Sequence, residues 1–229
     1  MITEEFFGSR SLASQAAAQG IATAIGQSLA GAPETAIVVT GGSSPEECYE
    51  LLAETDLPWA RVYVLLSDDR CVPVDHEASN EGMTRRLLLT KHAAAANLVP
   101  LYRRDLAPND QCRILGKQIE FLPMPFSISL LGMGVDGHFA SLFPDFAGLE
   151  NGLDLDGKDR CVVVETAASA YQRISVTMAT LIQSREILLL FFGDDKREVY
   201  ERAKLENGAY PVSRLLQQRE TPVRVIWAP

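Results

Sequence analysis

Asp136-Gly137-His138 sets a carboxylate two residues before an imidazole, with a flexible glycine between them. Neutral imidazole changes charge near pH 7, so a histidine fixed by a carboxylate is suited to take a proton from water attacking an ester. The pair lies in Leu131-Gly-Met-Gly-Val-Asp-Gly-His-Phe-Ala-Ser-Leu-Phe-Pro144, directly after an apolar run. A lone histidine more often caps or packs, but the glycines beside it and a strand end favour chemistry. The same stretch contains G-x-G-x-x-G at Gly132, Gly134 and Gly137, the pattern of a dinucleotide site. Pro144 confines any following helix to about two turns, and the acids from Asp154 to Asp159 fall in a polar stretch, so the cofactor reading is set aside.

Four weaker signals concern an anion. Thr40-Gly41-Gly42-Ser43-Ser44-Pro45 joins a strand to a helix, where free backbone N–H groups and the helix dipole can hold a phosphate. It lacks the Gly-Lys-Ser/Thr ending of a P-loop, and a capping box of Ser44 and Glu47 with Pro45 at the first helical position explains it equally. In Ser67-Asp68-Asp69-Arg70 the guanidinium can bind phosphate bidentately while a carboxylate orients it or touches sugar hydroxyls, although a solvated turn reads the same way. Lys196, in Gly193-Asp-Asp-Lys, puts a cation into the first turn of a helix, where it is misplaced unless an anion is near or solvent takes it. Arg173 sits in an alternating stretch that leads to a helix capped near Thr177.

These residues need a scaffold that gathers strand ends. Apolar runs at Ala36–Val39, Val62–Leu66, Phe126–Leu131, Cys161–Val164, Ile187–Phe192 and Val223–Trp227 read as buried strands. Helical patterns at Arg10–Ala30, Pro45–Ala53, Asn80–Leu89 and Asp195–Glu206 lie between most of them, the last stopped by Asn207-Gly208. The alternation predicts an α/β fold: a mostly parallel central sheet with helices on both faces and ligands beyond the carboxyl ends of the strands. The polar segment Asp145–Arg160 reads as a long surface loop.

Bulk composition excludes several classes. At 229 residues and 47% hydrophobic content, one globular domain over residues 1–229 is expected. A net charge of −9 without a basic block opposes binding to nucleic acid or anionic lipid. No apolar run long enough for a span and no basic leader appear, so a cytoplasmic protein with no membrane partner is expected. Cys48, Cys71, Cys112 and Cys161 are scattered without a C-x-x-C pair, which argues against a disulfide framework or zinc cluster.

Taken in order, the segments resemble the 6-phosphogluconolactonase family, within the glucosamine/galactosamine-6-phosphate isomerase superfamily, over nearly the whole chain. Thr40–Pro45 is similar to its S-G-G-S-T-P, Asp68–Arg70 to its D-E-R, and Leu131–Pro144 to its L-G-M-G-x-D-G-H-x-A-S-L-F-P. Val72-Pro73, Ser79-Asn80, Arg173-Ile-Ser, Gly193-x-x-Lys196 and Val225-Ile-Trp227 match further landmarks; Pro211-Val-Ser213 matches loosely. The resemblance implies a modified Rossmann-type sheet shared with glucosamine-6-phosphate deaminases. It also implies hydrolysis of a phosphorylated sugar lactone in the pentose phosphate pathway, without metal or organic cofactor.

By that resemblance His138 is the general base and Asp136 supports it or contacts substrate. Gly41, Gly42, Ser43, Asp68, Arg70, Asn80, Arg173 and Lys196 are then the substrate-binding set. Asp69, Thr40 and Ser44 replace the family's Glu, Ser and Thr, which preserves chemical type but bears on fine geometry. Oxyanion donors are not identifiable from sequence; N–H groups near Gly134-Val135 or in the Gly41-Gly42 turn are candidates. Two rivals stay open: a sugar-phosphate isomerase or deaminase, such as glucosamine-6-phosphate deaminase, whose Glu after the histidine is here replaced within Ser141-Leu142-Phe143, and a noncatalytic sugar-phosphate sensor, which would not need Asp136 with His138. The sequence leaves the oligomeric state open.

Overall fold

In the computed structural model, which describes residues 1–205 and 210–229, two sheets carry the site. The larger has seven strands in the order β1-β10-β9-β6-β2-β3-β5: β1 (Ile2–Phe6), β10 (Val223–Ala228), β9 (Ile187–Phe192), β6 (Ile128–Leu131), β2 (Thr35–Val39), β3 (Val62–Leu66) and β5 (Asn97–Val99). Every neighbouring pair is parallel. β2 and β6 are buried at every position, the signature of strands covered on both faces. From β2 the chain moves outward through β3 and β5, then returns to β6 beside β2 and moves the other way through β9 and β10. The gap between the ends of β2 and β6 is therefore a topological switch point, where such sheets place their ligands.

Helix α1 (Arg10–Gly31) starts where Ser9 accepts the N–H of Leu12, and it buries Ala13, Ala17, Ile21, Ile25 and Leu29 at a spacing of one turn. Its small side chains let it lie close to β2, β6, β9 and β10. The other helices are α2 (Glu46–Ala53), α3 (Asn80–Leu87), α4 (Pro108–Glu120), α5 (Leu149–Leu153), α6 (Met178–Leu181), α7 (Asp194–Leu205) and α8 (Pro211–Gln217). α7 begins as expected, but its predicted stop at Asn207-Gly208 lies outside the described residues.

Several expectations change. Cys161–Val164 is not in the parallel sheet: it forms β7 of a three-stranded antiparallel sheet with β4 (Asp68–Arg70) and β8 (Arg173–Val176), packed under α4. Arg173 opens β8, and the alternating stretch it begins leads, as expected, into a short helix after Thr177. β1 has an edge position and two neighbouring acids, so it carries little apolar signal. α4, begun by Pro108 and buried through Gln111, Leu115 and Ile119, was also not anticipated, whereas the short α6 follows Thr177 as its expected N-cap residue. Asp145–Arg160 is not a plain loop, because α5 forms within it and buries Leu153. No helix of the described residues is long and apolar enough to cross a membrane.

Candidate active site

The turns after β9, β6, β2 and β3, four adjacent strands, meet in one cleft of about 230 Å³, below the roughly 300–1,000 Å³ of sites for drug-sized ligands. Thr40 to Ser44, Asp68, Arg70, Asn80, Gly132 to Gly134, His138, Ala140, Arg173 and Lys196 line it. Every predicted substrate-binding residue is thus in one place, and so is the histidine.

His138 is held at its δ nitrogen. Nδ1 lies 2.6 Å from Asp136 Oδ1, which also accepts the His138 backbone N–H at 3.2 Å. A carboxylate at Nδ1 selects the tautomer with the proton there and leaves the Nε2 lone pair available. Burial alone would raise the Asp136 pKa, but the hydrogen bond and charge of His138 outweigh it and leave the carboxyl lowered. The ring stacks on Phe143 at 4.1 Å between centroids. The loop is shaped by its glycines: a Cβ on Gly134 would meet His138 Cε1 and Nδ1 at 2.3 Å, and Gly137 has a φ of 75° with Tyr210 packed where its Cβ would be. Gly134 N–H donates to His138 O at 2.9 Å, which removes it from the oxyanion donors considered above.

The turn after β2 departs from its predicted cap. Pro45 is the N-cap residue of α2 without a side-chain hydrogen bond, and Glu47 accepts from Ser11 instead of closing a box with Ser44. The turn is fixed from beneath by Tyr49, a fully buried residue whose hydroxyl accepts Thr40 N–H at 2.9 Å and donates to Thr40 O at 2.6 Å. Among the described residues, the N–H groups of Gly41, Gly42 and Ser43 have no protein acceptor. Gly41 has no room for a side chain because Asn80 Oδ1 would lie 2.0 Å from its Cβ.

The cationic wall is built by the antiparallel sheet. Arg173 is buried; its Nη2 donates to Asp68 Oδ2 at 2.8 Å and its Nε to Ser141 Oγ at 2.5 Å, while Ser141 donates to the same Asp68 oxygen at 2.5 Å. Burial of Asp68 is outweighed by the Arg173 charge and these donors, so its pKa is lowered. Both Asp68 oxygens accept protein donors, Ser67 Oγ taking the other. Arg70 donates to Ala78 O at 2.8 Å and Asn80 Oδ1 at 3.0 Å, and Asn80 Nδ2 donates to Asp68 O. Asp69, where the family has Glu, points away from the cleft and caps α3, accepting the N–H groups of Asn80 at 2.7 Å and Glu81 at 2.9 Å. Lys196 in the first turn of α7 has no acidic partner among the described residues; burial, then the charge of Arg10, lower its pKa. Tyr49, Ser141 and Phe143 were not picked out beforehand: a buried tyrosine and a motif serine look like ordinary packing until their partners are seen.

A family model described as glucosamine-6-phosphate isomerases/6-phosphogluconolactonase matches residues 8–227. A 6-phosphogluconolactonase of Caulobacter vibrioides is 36% identical, the match covering 98% of this chain and 96% of that protein. A crystal structure of a 6-phosphogluconolactonase from Shewanella baltica superposes with a TM-score of 0.95 at 32% identity, covering 100% of this chain and 98% of the other. A monomeric glucosamine-6-phosphate deaminase shares the fold, with a TM-score of 0.76 at 20% identity over 97% of this chain and 96% of that one.

Proposed function

Because this chain belongs to the family of glucosamine-6-phosphate isomerases and 6-phosphogluconolactonases, we propose a division of labour in its cleft for the lactonase reaction. The chain is a carboxylic ester hydrolase that opens 6-phospho-D-glucono-1,5-lactone to 6-phosphogluconate in the oxidative pentose phosphate pathway. The observation that carries the assignment of roles is the 2.6 Å contact between Asp136 and His138 Nδ1, on a cleft that also gathers Arg70, Arg173, Lys196 and the Gly41-Gly42-Ser43 turn.

In this reading the substrate phosphate is held by Arg70, Arg173, Lys196 and the N–H groups of the Gly41-Gly42-Ser43 turn. Fixing that end orients the lactone carbonyl toward a water on His138 Nε2. His138 takes the water's proton as the oxygen adds to the carbonyl carbon. When the tetrahedral intermediate collapses, the C–O bond to the ring oxygen breaks and the imidazolium returns the proton to that oxygen, restoring the neutral base. Asp136 stabilises the transient imidazolium. Asp68 and Asn80, whose polar atoms are occupied by protein partners, act in the same reading by holding Arg173 and Arg70.

Residues 1–229 act as one lactonase domain, supported by a core cluster that runs from Ala13 to Ala228. A cytoplasmic location belongs to the same reading; four free cysteines support it.

The test is hydrolysis of freshly generated 6-phosphogluconolactone, corrected for spontaneous opening. His138→Ala is expected to lose about 10²–10⁴ in kcat with KM largely kept. Near-wild-type turnover by that variant removes His138 from the role of base. Ammonia release from glucosamine 6-phosphate would instead restore the deaminase alternative.

A further inference from the structure

The loop leaving β4 returns to Arg70 through a histidine outside the mechanism. Ala78 makes the connection with both of its backbone groups: its carbonyl accepts from Arg70 Nη1 at 2.8 Å, and its N–H donates to His76 Nδ1 at 3.0 Å. The other side of the His76 ring meets Tyr171, with Nε2 3.4 Å from the hydroxyl and the rings edge-on, 5.3 Å between centroids. Tyr171 stands two residues before Arg173, and Gln172 between them accepts the Cys71 N–H at 2.8 Å. His76 therefore bridges the two segments that carry the facing arginines. A nitrogen that accepts from an amide must hold a lone pair, so the Ala78 contact exists only for the neutral ring with its proton on Nε2. Protonation turns Nδ1 into a donor facing a donor, and the Ala78 N–H loses its acceptor.

We infer that His76 is a positioning residue: it holds Ala78, and through it the Arg70 guanidinium, in the geometry that binds the substrate phosphate, and it releases that hold when its ring is protonated. The inference rests on the reading of Arg70 as a phosphate anchor. His76 is half-buried and in reach of solvent protons. The titratable and charged groups around it are Tyr171 from the segment before β8, Asp75 and Glu77 from its own loop, and Arg70 beyond Ala78.

Steady-state KM and kcat between about pH 5.5 and 7.5, the range in which imidazole changes charge, separate the outcomes for wild type, His76→Ala, His76→Asn and Arg70→Ala. The Asn Oδ1 takes the place of Nδ1 as an acceptor and does not titrate. The substrate phosphate has its own second ionisation near about pH 6, which moves KM alike in every variant. Wild-type KM should climb in acid by about 3- to 10-fold beyond the climb seen for His76→Asn, the effect of losing one hydrogen bond. His76→Ala should carry a KM raised by a similar factor already at the neutral end, with kcat unchanged. An unaltered KM in His76→Ala, with KM raised in Arg70→Ala, overturns the inference alone, as does His76→Asn following wild type through the whole range. An unaltered KM in Arg70→Ala overturns the anchor reading and the inference with it. Thermal melting of the variants identifies any that fail to fold, and for those the His76→Asn profile decides.

Discussion

Arg70 and Arg173 stand opposite each other in the register of the antiparallel β4–β8 pair, and among the described residues Asp68 is the one carboxylate within ion-pair distance of either. Like charges directly across a ladder are unfavourable. Burial, and after it the charge of Arg173, lower the pKa of Arg70. In the proposed reading the pair is an anion site, and a bound anion would offset the cost of facing the two charges.

Anion binding should accordingly stabilise the fold. Inorganic phosphate or 6-phosphogluconate is expected to raise the thermal midpoint more than chloride at equal ionic strength, approaching about 2.7 kcal/mol at a hundredfold excess over Kd. Arg70→Gln should lose most of that gain. Equal midpoints in phosphate and chloride would show that the two guanidiniums do not form an anion site.

Gly134 is the residue on which the Asp136–His138 pair is seated. A methyl group there would lie 2.3 Å from the imidazole and 2.6 Å from Asp136 Oδ1, so Gly134→Ala must displace both side chains. Since a misplacement of about 1 Å can cost 10²-fold in rate, kcat should fall by about that factor or more while phosphate affinity stays near wild type. Turnover of Gly134→Ala at the wild-type rate would mean that this geometry is not needed.

Asp69 gives stability an unusual pH dependence. Burial pushes its carboxyl up to about 6, against the opposing pull of the Asn80 and Glu81 N–H groups. A carboxyl whose folded pKa exceeds its unfolded value, about 3.9, holds its proton more tightly when folded. Its contribution is greatest below about pH 4 and is lost as pH rises through about 6, up to about 3 kcal/mol. Asp68 runs the other way: its lowered pKa adds stability that is present above about pH 4 and lost in stronger acid. Urea unfolding from about pH 4 to 7 should show Asp69→Asn with a flatter profile than wild type across that window. Identical slopes would show that Asp69 titrates normally in the folded state.

Much of this molecule is legible along the chain because its strongest signals are local. Buried parallel strands need apolar residues on both faces, so β2, β3, β6, β9 and β10 announce themselves, and ligands of such sheets follow strand ends. The pair proposed to activate water is equally local: Asp136, Gly137 and His138 are neighbours in sequence, and the glycines that shape their loop lie within the same run. Weakly apolar edges and short elements escape this logic. β1 carries two adjacent acids at the sheet margin, and β4 is a short polar strand whose pairing with β8 no local pattern announces.

The residue types needed for the chemistry, and the strand ends that carry them, were thus settled by the order of residues alone, since periodicity and short-range spacing encode them. Who holds whom was settled only by folding. Asp68 meets Arg173 across 105 residues, Ser141 bridges the two, and Tyr49 clamps Thr40 from within the core. Those contacts form because two sheets bring distant segments together in a buried setting, where an unpaired charge or hydroxyl is costly and a partner must be found. No local spacing specifies such a partner.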